Sequence, residues 1–170
     1  YLISCYYKDQ LGFPMFNSVL LKYDASGELQ TSTELGDYYE MLCSQIIKGP
    51  DSLYRTIGLV KHYNNDTTYF HSAILNQNAV VIESCEIPLD TVLPLFLFCD
   101  VENDTSFIVS INLLEGGGST VITSRLFLMQ INWDYTRFKK SLVSDIALDQ
   151  FFSMCSSPDG RSFYATAFDF

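Results

Sequence analysis

Four stretches of this chain carry the same features in the same order, and that order restricts the fold more than anything else in the sequence. They are residues 2–21, 57–75, 95–113 and 151–170. In each, an apolar run ends near Cys5, Val60, Cys99 or Cys155. An aspartate follows within a few residues, at Asp9, Asp66, Asp104 or Asp159. An alternating stretch then leads to a hydroxyl at Ser18, Ser72, Ser110 or Thr166. An apolar run, a polar turn and a second run of period two describe a β-hairpin. The turn chemistry agrees. Pro158-Asp159-Gly160 joins a fixed φ to a residue free to take φ > 0, and Asn64-Asn65-Asp66 and Glu102-Asn103-Asp104 supply side chains that hydrogen-bond local backbone.

A third strand follows a second turn in three of the four copies. The turn at Tyr23–Gly27 precedes residues 28–33, Asn76–Asn78 precedes 79–85, and Glu115–Ser119 precedes 120–128. The Gly116–Ser119 run reads as a natural hairpin loop, with an engineered linker as the alternative. Each unit is therefore strand, Asp turn, strand, Gly or Asn turn, strand. The hydroxyl positions are 54, 38 and 56 residues apart, uneven but of the size of a propeller blade. The expected fold is all-β: a β-propeller-like array of antiparallel meander blades, or a fragment of a larger propeller. It forms one repeat domain over 1–170, with repeats at roughly 1–35, 55–88, 93–133 and 150–170, the last truncated. A sandwich with coincidental patterning is the alternative. Two stretches between repeats, Gly36–Ile47 and Asp145–Phe152, have some helical periodicity and read either as short helices or as outer strands.

The segment from Cys155 to Tyr164 resembles the Ser-Pro-Asp-Gly hairpin of WD40-like propellers, including the periplasmic TolB-type repeat. In that family the motif joins two strands of a blade. The Gly-His and Trp-Asp pairs of WD40 repeats are absent from the aligned hairpins, and Trp133-Asp134 falls outside them. The resemblance therefore implies a propeller-like fold and carries no activity with it, since propellers host enzymes, receptors and scaffolds.

Charge narrows the partners. The chain holds 20 Asp plus Glu against 10 Lys plus Arg, a net −10, and its one basic stretch is Arg137–Lys140. A polyanion meets net repulsion, which argues against nucleic acid and against an anionic membrane surface. The longest apolar run, Val92–Cys99, is broken by Pro94 and is far short of the roughly 20 residues of a membrane helix. The chain starts at Tyr1 and stops at Phe170 within apolar patterns, which reads as a mature or partial chain.

Candidate chemistry is sparse. No GxSxG elbow, Walker loop or HExxH is present. A Ser72–His71–Asp66 set fails on geometry, because neighbours on one strand point to opposite faces. Asp100, Glu102 and Asp104, at alternate positions, come nearest to a calcium loop, although turn-forming aspartate explains them as well. No cofactor is expected beyond that calcium option. The five cysteines, Cys5, Cys43, Cys85, Cys99 and Cys155, include no CxxC pair. They are either small buried hydrophobes or disulfide partners. Two sequons, at Asn65 and Asn103, fall on the same hairpin tip in successive repeats and are candidate N-glycosylation sites.

The pattern points to a non-enzymatic structural or protein-interaction domain, secreted or on the cell surface, binding other protein chains or copies of itself. The alternatives are a carbohydrate-acting hydrolase that uses acidic residues and an intracellular, cytoplasmic WD40-like scaffold.

Overall fold

All four expected hairpins are antiparallel strand pairs. In a computed structural model, residues 2–8, 16–35, 40–62, 67–89, 93–101, 104–117, 121–144, 150–157 and 163–168 are described. They form thirteen strands and no helix. The hairpins pair β1 (Leu2–Lys8) with β2 (Phe16–Tyr23) and β5 (Tyr54–Lys61) with β6 (Thr68–Leu75). They also pair β8 (Leu93–Val101) with β9 (Ser106–Gly117) and β12 (Gln150–Ser156) with β13 (Phe163–Phe168).

The chain divides into two compact units, Tyr1–Thr91 and Val92–Phe170. The first holds a sheet ordered β1-β2-β3, with β3 spanning Leu29–Glu34. It also holds a sheet ordered β4-β5-β6-β7, with β4 at Glu40–Lys48 and β7 at Val81–Leu89. The second unit holds a sheet of β8, β9, β10 (Val121–Asn132) and β11 (Phe138–Ser144), and the β12–β13 pair. Every sheet is a meander of sequential antiparallel neighbours.

The two stretches with helix-like periodicity carry strands. β4 pairs along its length with β5, from Glu40↔Lys61 to Lys48↔Tyr54. Its apolar residues, including Met41, Leu42, Ile46 and Ile47, are not confined to alternate positions, so no clean period of two survives to mark it. β12 occupies the second stretch from Gln150 onward, and residues 145–149 lie outside the described residues.

The hairpins occupy two different places in their sheets. Between β5 and β6 the Asp turn joins the second and third strands of a four-stranded sheet. Between β8 and β9 it joins the first and second. The short 38-residue interval from Ser72 to Ser110, against 54 and 56 on either side, is that one-strand slip. The sequence units and the sheets are out of phase across the unit boundary.

In the first unit, β5 and β6 are buried on both faces, with Arg55 through Val60 and Phe70 through Leu75 all buried. Cross-strand partners share a face. One face thus carries Tyr54, Val60, Tyr69, His71 and Leu75, and the other Arg55, Ile57, Leu59, Phe70, Ser72 and Ile74. The first face meets the β1-β2-β3 sheet: Leu20 and Leu35 join Val60 and Leu75 in one cluster, with Tyr54, Tyr69, Ile46 and Val81 packed around it. At its margin Lys22 Nζ donates to the Gln77 carbonyl at 2.6 Å. In the second unit, Phe107, Val109, Ile111, Met129 and Ile131 share a face, with the Trp133 ring 5.0 Å from Phe107. On the opposite face Gln130 Nε2 donates to Ser106 Oγ at 3.2 Å. The hydroxyls at Ser18, Ser72 and Ser110 are all buried within this packing.

Tight turns close the meanders by a shared device. In the β2–β3 turn the Asp24 carboxylate accepts from the Ser26 and Glu28 amides at 2.9 and 3.0 Å, and Gly27 adopts φ 86°. In the β6–β7 turn Asn76 Oδ1 accepts from the Asn78 and Val80 amides at 2.8 and 3.1 Å, with Ala79 at φ 61°. The left-handed residue falls three positions after the first turn residue in both, which matches the twist of the strands it joins. Gly27→Ala should therefore lower the unfolding free energy by about 1 kcal/mol, and Gly27→Asn by about half of that. Urea denaturation checks the order; equal costs for Ala and Asn would contradict the left-handed requirement.

Candidate functional site

Titratable groups gather on the inner face of the β4–β7 sheet. Antiparallel pairing sets Gly58 of β5, His71 of β6 and Glu86 of β7 side by side. Tyr69 lies on the same face two residues before His71. His62, just past the end of β5, places Nε2 2.8 Å from Glu86 Oε2, and its ring meets Tyr69 edge-on at 5.2 Å. With Glu86 ionised, Nε2–H donates to the carboxylate.

The two histidines differ in environment. His71 is 1% exposed, and burial pushes its pKa down to about 4, with the Glu86 carboxylate opposing the shift and His62 adding to it. It is neutral at pH 7. The His62 and Glu86 side chains are 39% and 27% exposed.

Nucleophiles lie elsewhere. Ser72 is fully buried and, with its partner Cys85, lies on the opposite face from His71. Burial raises the Cys85 thiol pKa, and Glu83 and Glu86 raise it further, so little thiolate forms at neutral pH. Ser72 and Cys85, the described serine and cysteine next to this row, both face away from His71 and form no couple with it.

A second ionic site lies at the β4–β5 turn. Arg55 is 1% exposed and binds Asp51 with two parallel bonds, Nη1 to Oδ1 at 3.0 Å and Nη2 to Oδ2 at 2.7 Å. Asp51 also accepts from the Leu53 amide at 3.0 Å, and the Arg55 hydrogen bond holds its carboxyl below the usual carboxylate range. A Cβ on Gly49 would collide with the Arg55 guanidinium, so the glycine makes room for the pair. This fork organises the turn and ties a buried cation to its own hairpin.

The residues singled out in the sequence are dispersed. Asp9, Asn65, Asp66, Glu102, Asn103 and Asp159 lie outside the described residues. Asp104 is exposed at the bend before β9. Asp100 pairs with Ile108 in the ladder, its side chain outside the described set. Cys5, Cys43, Cys99 and Cys155 sit on β1, β4, β8 and β12, opposite Val19, Gly58, Val109 and Tyr164. Their side chains too lie outside the described set. Cys85 is a free thiol. Among the described residues no group of three His, Cys, Asp or Glu side chains could hold a metal ion.

Glu86 and Arg55 escape sequence reasoning. Glu86 reaches His71 only through strand register, which no local pattern encodes. Arg55 lies four residues after Asp51, a spacing that signals an ion pair only once the hairpin between them is known. No family model, no curated protein and no solved structure matches the chain.

The ionic sites make separable predictions. Asp51→Asn strands the Arg55 charge and should cost about 2 kcal/mol, below the roughly 3–5 of a fully buried pair because Asp51 is partly exposed. Arg55→Met should cost less than Asp51→Asn; the reverse order in denaturant melts would show that the aliphatic stem, not the pairing, matters.

For His71 the folded pKa lies below the unfolded value of about 6.5, so the unfolded chain binds more protons between the two. Stability is full above about pH 6.5 and falls toward pH 4, by up to about 3 kcal/mol from this group. His71→Phe should flatten that slope. An NMR titration of His71 with a midpoint near its ordinary value would refute the assignment.

Proposed function

We propose that this chain is a non-enzymatic protein-interaction domain whose antiparallel meanders are blades of a propeller-like array, displayed outside the cell. The observation that carries the reading is the state of the outer strands. β7 and β11 each end a four-stranded sheet, and each exposes consecutive residues to solvent: Ile82, Glu83 and Ser84 on β7, and Phe138 and Lys139 on β11. A strand whose edge and both faces meet water offers backbone donors and acceptors to another chain.

Three further points support it. The two complete sheets have the four-stranded meander form of a blade. The Ser-Pro-Asp-Gly resemblance falls on the β12–β13 connection, between paired strands as in that family. The Arg55–Asp51 fork ties the β4–β5 turn together, a structural use of buried charge. The extracellular part of the proposal rests on the sequons, which belong to the β5–β6 and β8–β9 connections, where a glycan would extend from a hairpin tip.

Intact mass spectrometry of the chain secreted from cultured animal cells tests this reading. Expected are glycans on Asn65 and Asn103, each lost separately in Asn65→Gln and Asn103→Gln. Unmodified asparagines on efficiently secreted protein would overturn the surface assignment of these tips.

A further inference from the structure

The outer strands carry opposite charges. On β7, Glu83 is exposed and Glu86 half-buried. At the start of β11, Arg137 and Lys139 are exposed, and Lys140 lies 4.7 Å over the Phe127 ring. Three of the chain's 10 basic residues therefore fall within four positions of one edge, in a molecule of net charge −10. Each edge also bears one large exposed hydrophobic directly before its exposed charge: Ile82 (59% exposed) before Glu83, and Phe138 (56% exposed) before Lys139.

Charges on an edge strand ordinarily guard it against pairing. Here the guard is selective. Two β7 edges brought together would oppose glutamates, and two β11 edges would oppose lysines and arginine, so both like-with-like pairings are penalised. The unlike pairing sets Glu83 against Lys139 and brings Ile82 and Phe138 into one apolar contact. Nothing in the charge pattern opposes it. We propose that the β7 edge of one copy pairs with the β11 edge of a second copy, a head-to-tail contact between copies of this chain. This rests on the interaction reading above and names the partner.

The position of Pro88 limits the contact. Proline has no amide hydrogen to donate, so pairing along β7 runs over Val81–Glu86 and stops short of Pro88. A contact of so few residues lies at the small end of interfaces and is weak. Repulsion between whole molecules of net −10 does not forbid it. Physiological salt screens charges beyond about 8 Å, while the facing edges would lie within that distance. A head-to-tail contact uses two different surfaces of each copy.

Sedimentation velocity of the full chain over a concentration series tests the proposal. The wild type should associate at about 0.15 M salt, where whole-molecule repulsion is screened, and weaken as salt rises to about 0.5 M. Glu83→Lys and Lys139→Glu should each weaken association by about tenfold or more. An equimolar mixture of the two variants should recover it, because the β7 edge made basic in one then faces the β11 edge made acidic in the other. The chain carrying both substitutions should recover it alone. Circular dichroism of each variant confirms that the fold is kept. A wild type that stays monomeric throughout, or variants that associate as well as it does, would overturn the self-pairing. The glycan test above is independent of that result, so the display of the domain outside the cell can stand or fail on its own.

Discussion

Everything in the first unit depends on β5 and β6 being buried on both faces while their backbones stay fully paired. A buried strand can leave no amide or carbonyl unsatisfied, so each needs a strand on either side. β4 and β7 fill those roles, and unpaired backbone is moved outward to strands that meet water. The same reasoning explains why the outer strand tolerates Pro88, a residue that would cost a ladder hydrogen bond in β5 or β6. It also explains why the polar residues inside are those able to pair locally. Thr56 Oγ1 accepts from the Ala73 amide across the ladder at 3.1 Å, and Arg55 turns back to Asp51 in its own hairpin.

The fold was legible in the sequence where one face was wet or a turn was sharp, and illegible where neither held. The four Asp hairpins were readable because turn residues at Asp66 and Asp104 interrupt apolar runs, and antiparallel pairs lie on either side of each. β4 was obscured because its apolar residues do not keep to alternate positions, which allows a helical reading of Leu42, Cys43 and Ile46. β11 was obscured for the opposite reason. Its Phe-Lys-Lys-Ser start is solvated, and solvated strands resemble loops. Leaving the strand before the second repeat as one of two readings, and missing the one after the third, hid the slip in phase that the 38-residue interval records.

The candidate site was less legible than the fold, because its members meet only through register. His71 and Glu86 are 15 positions apart in sequence and directly opposite in the β6–β7 ladder. A one-residue slip would send Glu86 to the other face and leave His71 beside Cys85. The bulge between Ile74 and Leu75 lies in this same pairing, and no feature of the sequence marks it. His71 itself drew notice as a histidine beside a serine. What sets its chemistry is burial, which a single sequence does not display.

The net charge of −10 describes the whole molecule poorly. It argues against polyanions at long range, yet the contacts that decide association operate within a Debye length, where the local pattern governs. There the chain is not uniformly acidic: β7 presents glutamate and β11 presents lysine, on strands that each end a sheet among the described residues. A sheet protein that exposes edges must either cover them, twist them away or charge them. Charging both with the same sign would have made every pairing unfavourable. Opposite signs leave the unlike pairing unpenalised, and the proposed head-to-tail contact would draw its specificity from that difference.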